Sequence, residues 1–327
     1  MARTKFFYHL LALAVVAVWG VTFVCTKELI RAGLMPAQIF AIRFTLAYLG
    51  ILVLSLVQGR GRMRLWSRDW KDELLFVFLG VTGGSFYFLT ENTALAYTQA
   101  SNVAFLVCSA PLITALLSLA YIRLRKDRFS AALEDVRLDF PLVGGTVLAM
   151  AGMALMLFDG ARLQVSLRGD LLAVGAAVCW ALYSLFMGKM TEEYGAVFAT
   201  RKVFIYGLLT IIPFLVGRGG FPLEALQRPA VILNLLFLAL VASLACFVVW
   251  NLVMSKLGNI TSTNYVYLNP VFTLITAMIF LGERMTLAGA VGSALILGGV
   301  ILAGQHGRRP RPAQPTDLPK DNSKKIW

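Results

Sequence analysis

Charge is what this 327-residue sequence has least of: 14% of residues are Asp, Glu, Lys or Arg, against 58% hydrophobic, and mean hydropathy is +0.75. That is too little polar surface to coat a water-soluble globule of this length, so the chain reads as an integral membrane protein. Histidine is nearly absent, with His9 and His306 at opposite ends. No acidic pair falls inside an apolar run, and no GlyLysSer-type phosphate loop occurs. Metal catalysis, paired acid–base chemistry and ATP hydrolysis therefore have no visible apparatus, and neither an enzyme nor a cofactor is expected. Cys25, Cys108, Cys179 and Cys246 fall singly in four separate runs, which gives no local metal cluster and no disulfide framework. Each is expected to be a small buried apolar residue.

What is abundant is apolar length. A hydrocarbon core roughly 30 Å thick needs about 20 apolar residues per helix, and ten runs are available. They cover residues 7–27, 34–57, 74–96, 101–122, 140–158, 169–188, 202–217, 230–254, 263–282 and 286–304. None shows the alternation of a membrane barrel, so the spans are expected to be helices. The first run resembles a signal peptide in its short basic start, but it has full spanning length and leads directly into a second helix, so it is read as a span.

The net charge of +13 would suggest nucleic acid in a soluble protein; here the charges flank the spans, and no nucleic-acid partner is expected. Arg60, Arg62, Arg64, Arg68 and Lys71, then Arg123 to Arg137, then Lys189, Arg201 and Lys202 cluster on alternate connections. The intervening ones hold only scattered cations such as Arg162 and Arg218. The positive-inside rule then puts both termini in the cytoplasm. Beyond residue 305 the sequence becomes Pro-rich, basic and poor in apolar residues, as expected of a disordered tail lying near anionic membrane lipids, or of a simple stop-transfer cluster.

Ten spans divide near residue 160 into two halves of five, and an odd number forces the second half to insert upside down. The expected fold is all-α, ten transmembrane helices as two inverted five-helix repeats, residues 1–160 and 161–304, followed by the tail 305–327. Short echoes agree: Trp19 and Trp180 at matching depths, PheAlaIleArg at 40–43 and PheAlaThrArg at 198–201, Pro111 with Thr114 and Pro270 with Thr273.

TrpGlyValThrPheValCysThrLys at 19–27, Pro36 followed by Arg43 and Phe44, AsnProValPheThr at 269–273 and LeuGlyGluArg at 281–284 fall in order along these spans. Together they resemble the EamA-type members of the drug/metabolite transporter superfamily over about residues 7–304. The resemblance implies a ten-helix carrier of the inner cell membrane, often an exporter of amino acids or related metabolites, working by alternating access. The fourth span departs from it, ending in Ile122, Arg123 and Leu124 where members commonly carry GlyGlu.

A few residues stand out as candidates for contact with cargo. Arg43 lies roughly 13 Å into its span at 1.5 Å per residue, where an unpaired charge is costly, so it must face protein or water. It reads as a substrate-carboxylate or coupling site, or as a structural ion pair. Glu91 is the one acid placed within a span and its natural partner, although at that depth it is also compatible with solvation. Trp19, Trp180 and Tyr183 are too deep for interfacial anchoring and suit a cavity wall for a flat, partly apolar substrate, or ordinary core packing. Pro111 and Pro270 remove mid-helix donors and free carbonyls toward a cavity, or simply kink the helix. Asn92 with Asn102, and Asn251 with Asn264, flank two hairpins at opposite faces, as gates would, or as interfacial caps. With no ATP-binding apparatus, transport is expected to draw on a proton or solute gradient. A channel or a lipid-handling protein is the alternative.

Overall fold

The structure, a computed structural model, describes residues 2–59, 64–98, 100–133, 139–158, 166–216, 220, 222–281 and 286–305. The tail beyond 305, the side chain of Asn102, Gly282 to Arg284 and the flanking Arg60, Arg62, Arg137, Arg162 and Arg218 lie outside the described residues.

The described residues are helical, with no strand among them. Apart from the short helical turns Arg128–Ala132 and Leu223–Leu226, the helices are α1 (Ala2–Arg31), α2 (Pro36–Gln58), α3 (Trp70–Tyr97), α4 (Ala100–Val107 and Ala110–Leu124) and α5 (Phe140–Phe158). They continue with α6 (Leu167–Tyr194), α7 (Ala196–Leu215), α8 (Pro229–Leu257), α9 (Asn259–Thr263, Asn264–Leu268 and Asn269–Leu281) and α10 (Leu287–Ala303). Local chemistry sets their ends. Pro36 supplies the fixed φ of a first turn, and the Gln38 side chain reaches back to accept from the Met35 N–H at 3.0 Å. Asp69 and Ser166 cap α3 and α6 through their side-chain oxygens. Two sharp hairpins, α6–α7 and α8–α9, each turn on one glycine at positive φ, Gly195 at 83° and Gly258 at 84°.

Among the described residues seven helices are long and apolar enough to cross a membrane: Phe6–Arg31, Pro36–Gln58, Trp70–Tyr97, Val103–Leu124, Leu167–Tyr194, Ala196–Leu215 and Pro229–Leu257. Within the described residues the other three of the ten expected runs are not counted among these. Phe140–Leu155 and Leu287–Ala303 are shorter apolar helices, and α9 is divided by a 3₁₀ turn over Asn264–Leu268. The seventh run begins earlier than expected, at Ala196 instead of 202, because Arg201 and Lys202 do not sit in a connecting segment. Both are buried inside α7, where Lys202 pairs with Glu73 and Arg201 packs on the Phe198 ring.

The exterior is apolar. Leu49, Val53, Val147, Leu171, Leu209 and Ile301 all lie on the outside of the bundle, the reverse of a soluble fold and the surface a bilayer requires. With lipid outside, packing and not water exclusion must hold the helices together, and small residues allow it. Gly145 and Gly152 of α5 lie against α10 so closely that a Cβ would come within 2.5 Å of the Gly299 and Gly292 carbonyl oxygens. The small-residue stripes of these two helices thus face each other within one chain.

Two helices are loosened in mid-course. A π-helical turn covers Val81–Ser85 in α3, with Gly84 at φ −122° and ψ −105°, and a longer one covers Phe237–Ala245 in α8. Such turns misalign backbone carbonyls and free them for other donors. In α3 the glycines also let α6 and α7 approach: a Cβ on Gly83 would overlap the Tyr183 ring, and one on Gly80 would meet Tyr206 at 2.5 Å.

One end of the bundle, which carries the α6–α7 turn, is laced with polar contacts. Arg128 pairs with Asp72 and with Glu193 (2.9 Å), Tyr194 donates to Asp72 at 2.5 Å, and Lys202 and Tyr206 both bond Glu73. Burial would push the Arg128 guanidinium down, but its contacts with Asp72 and Glu193 carry it above its ordinary range.

Candidate functional site

The π-helical stretch of α8 explains how a guanidinium survives at mid-bundle. Arg43, 3% exposed, donates from Nε to Ser243 Oγ at 2.5 Å and to the Leu238 carbonyl at 3.1 Å, both on that stretch. Trp19 Nε1 donates to the Ala242 carbonyl of the same stretch at 3.0 Å. The Arg43 guanidinium also lies 4.7 Å from the Phe88 ring and 5.5 Å from the Phe44 ring, a cation–π setting.

Around these groups is a narrow cavity of about 30 Å³, room for two or three waters. Its wall holds Trp19, Arg43, Glu91 and Trp180 from the expected set, together with Thr22, Phe23, Tyr87, Phe88, Phe247 and Asn269. Val107, the last residue before the α4 break, and Val266, within the α9 3₁₀ turn, complete it. Arg43 and Glu91 thus border one cavity, yet no ion pair joins them among the described residues. Glu91 instead accepts from the Tyr87 hydroxyl at 2.7 Å, which holds the carboxyl at the wall.

The aromatic wall is continuous. Trp19 meets Trp180 edge-on at 5.4 Å, Trp250 at 5.0 Å and Phe247 at 5.8 Å, so the two tryptophans that echo in sequence touch in space. Each such ring pair adds roughly 0.5–1.5 kcal/mol beyond burial. Two polar atoms of this wall are buried without a hydrogen-bond partner, Trp180 Nε1 and Asn269 Oδ1. Orphaned groups of this kind are costly, and a ligand's own polar atoms can satisfy them.

The remaining candidates separate. Tyr183 is fully buried behind Trp180 and outside the cavity wall, donating to Asn251 Oδ1 at 2.5 Å; Asn251 in turn donates to Thr200 at 2.8 Å. Pro111 and Pro270 are not mid-helix kinks. Each stands in the first turn of a new helical piece, just after the turn at Cys108 and Ser109 and just after Asn264–Leu268, where its missing N–H costs nothing. The chain is broken before the prolines, and the two breaks face each other: Cys108 Sγ donates to the Val266 carbonyl at 3.3 Å. Asn92 is buried against the start of α2, donating to the Pro36 carbonyl at 3.4 Å, with Oδ1 unpartnered. Asn264 is buried with neither amide atom partnered. Sequence reading passed over Thr22, Phe23 and Asn269, although all three sit in the runs at 19–27 and 269–273 that it singled out. Ser243 and Phe247 carried no signal, since a π-helical turn leaves no trace in hydropathy.

The EamA-like transporter family model matches residues 6–127 and again residues 167–305. An uncharacterized transporter of Archaeoglobus fulgidus is 27% identical over 91% of this chain and 98% of its own length. A probable amino-acid metabolite efflux pump of Salmonella typhimurium is 27% identical over 89% of this chain and 93% of its own. A probable terminal-alkyne amino-acid exporter of Streptantibioticus cattleyicolor is 24% identical over 91% and 97%. Among the solved structures similar to this chain is a crystal structure with a TM-score of 0.69 at 20% identity, covering 92% of this chain and 99% of that one.

Proposed function

The chain belongs to the EamA-like transporter family, a multi-pass membrane protein and not an enzyme, and from that premise we propose that it is a secondary active exporter of amino acids or closely related metabolites. The observation that carries this reading is the presence, on one aromatic wall, of both the buried Arg43 guanidinium and the Glu91 carboxyl. An amino acid presents a carboxylate and an ammonium a few ångströms apart; Arg43 suits the first and Glu91 with Asn269 Oδ1 the second. The rings of Trp19 and Trp180 would flank the side chain, and Trp180 Nε1 would gain a partner. The names of the Salmonella and Streptantibioticus relatives agree with this class of cargo.

The transport cycle would be alternating access between two inverted five-helix repeats, residues 1–160 and 161–304, making ten spans in the inner cell membrane with both termini cytoplasmic. Three features support the repeat. The family model matches twice, once in each half. The third helix of each half, α3 and α8, carries a π-helical turn, and the fourth, α4 and α9, breaks just before a proline. The cavity has room for only a few waters in this conformation, so cargo would enter only when the helices part. In this reading Asn92 and Asn102 act at one gate and Asn251 and Asn264 at the other, and Glu91 carries the coupled proton when cargo is absent.

Flux of labelled amino acids in proteoliposomes tests it. Saturable, gradient-dependent movement that disappears in Arg43→Ala, with the variant still properly inserted, is the expected outcome. Movement that never saturates would make the protein a channel. Amino acids left untouched while lipid crosses the bilayer would replace the reading with lipid handling.

A further inference from the structure

A second cavity opens where the α6–α7 turn meets the end of α2, and it shares no lining residue with the central one. It is an open cavity of about 520 Å³, and its wall holds Ser55, Gln58, Arg64, Tyr194, Phe198 and Arg201. The charges here are of one sign. Arg201 is only 5% exposed, and no carboxylate pairs with it among the described residues; the hydrogen bond it makes is to the backbone carbonyl of Arg64. The Arg64 guanidinium lies 5.3 Å from the Tyr194 ring and 5.5 Å from Phe198, and Arg201 lies 5.2 Å from Phe198.

Acids are close by, but other partners hold them. Asp72 is bound by Arg128 and Tyr194, and Glu73 by Lys202, Tyr206 and the Ser67 N–H. Glu193 serves Arg128 and Lys189, and Asp69 caps α3. The dipole of α7 adds to the imbalance. Its 20 residues start at Ala196, and the preceding Gly195 has no side chain to cap the first-turn N–H groups; residues 195–198 line the cavity. A buried guanidinium without a counter-ion, beside a second guanidinium and an uncapped helix start, is a set of donors for an anion that the fold itself does not supply.

We infer that this cavity is a binding site for an oxyanion, a carboxylate or phosphate group held between Arg201 and Arg64, with the rest of the ligand lying on Tyr194 and Phe198. Two sources carry that chemistry: a soluble organic anion entering from this end, or the headgroup of an anionic phospholipid reaching in from the leaflet. The inference is independent of what the central cavity transports.

The test is the melting temperature of delipidated full-length protein in detergent, titrated at fixed ionic strength with phosphate, with benzoate and with short-chain phosphatidylglycerol. Chloride and short-chain phosphatidylcholine serve as comparators. Phosphate or benzoate should raise it where chloride does not. Losing a charge-assisted contact should weaken that response about tenfold or more in Arg201→Gln and in Arg64→Gln, while Arg228→Gln, an exposed residue outside both cavity walls, should keep it. A response to phosphatidylglycerol without one to the free anions assigns the site to a lipid headgroup. No response to any of the three, an unchanged response in Arg64→Gln and Arg201→Gln, or an equal loss in Arg228→Gln would overturn the inference. If Arg201→Gln does not fold, the exposed Arg64 decides, since its replacement disturbs no core: loss supports the site and no change removes it.

Discussion

Arg43 and Arg201 each end an echoing tetrapeptide, PheAlaIleArg and PheAlaThrArg, and both are buried, yet the fold treats them oppositely. Arg43 is surrounded by provisions: a hydroxyl, a freed carbonyl, two ring faces and a carboxyl on the same cavity wall. Arg201 has a ring face and one carbonyl, beside an open cavity in which the neighbouring acids are engaged elsewhere. The lesson is that burial alone says little about a charged residue. What differs is the setting: Arg43 is anchored through Nε on the wall of a small cavity that also holds a carboxyl, whereas Arg201 borders an open cavity whose neighbouring acids are engaged elsewhere.

This contrast can be broken at several points. The largest effect is expected of Arg43→Ala, which leaves Glu91 buried without a cation near it and removes the proposed carboxylate contact. Transport in proteoliposomes should fall roughly 100-fold, in keeping with the 2–5 kcal/mol cost of truncating one member of a buried charged set. Retention of more than about a tenth of wild-type flux would detach Arg43 from the cargo. Ser243→Ala comes next: it strips the shortest hydrogen bond from Arg43 and should destabilise the protein by about 1.5–3 kcal/mol in denaturant titration, the range for a bond to a charged group. A stability equal to wild type would mean that the Leu238 carbonyl suffices.

Tyr87→Phe should cost about 1 kcal/mol, the ordinary worth of a hydrogen bond, because Glu91 loses the hydroxyl at 2.7 Å. The same change should shift the pH dependence of transport, since the carboxyl it releases is the proposed proton carrier; an unmoved profile would argue against that role. The smallest effect on stability is expected of Arg201→Met. A buried cation without a counter-ion contributes little, and an apolar residue of similar length should leave the melting temperature unchanged or slightly raised when no anion is present. A large drop there would show that Arg201 is structural and not a site for a ligand.

Sequence made much of this visible. The ten apolar runs, the tryptophan echo, and the placing of Arg43 and Glu91 inside spans were all legible, because depth in a membrane follows from counting residues at a fixed rise. The contact of Trp19 with Trp180 followed the echo. Arg201 and Lys202 were misjudged as lying outside their helix, since ion pairing and ring stacking rescue charges in a way that hydropathy cannot register. The prolines signalled real discontinuities but marked their far edges, because proline fits a first turn better than a middle one.

By itself, then, the sequence determined that the chain is helical, that it lies in a membrane, and that few of its side chains carry charge into the interior. Those facts depend on composition and on one-dimensional spacing. Which charges are satisfied and which are left facing a cavity was decided only by the tertiary structure. It rests on π-helical turns that release single carbonyls, on glycines that let helices close to contact, and on acids committed to partners far away in sequence. Hydrogen bonding acts over about 3 Å, a scale that only the packed helices define.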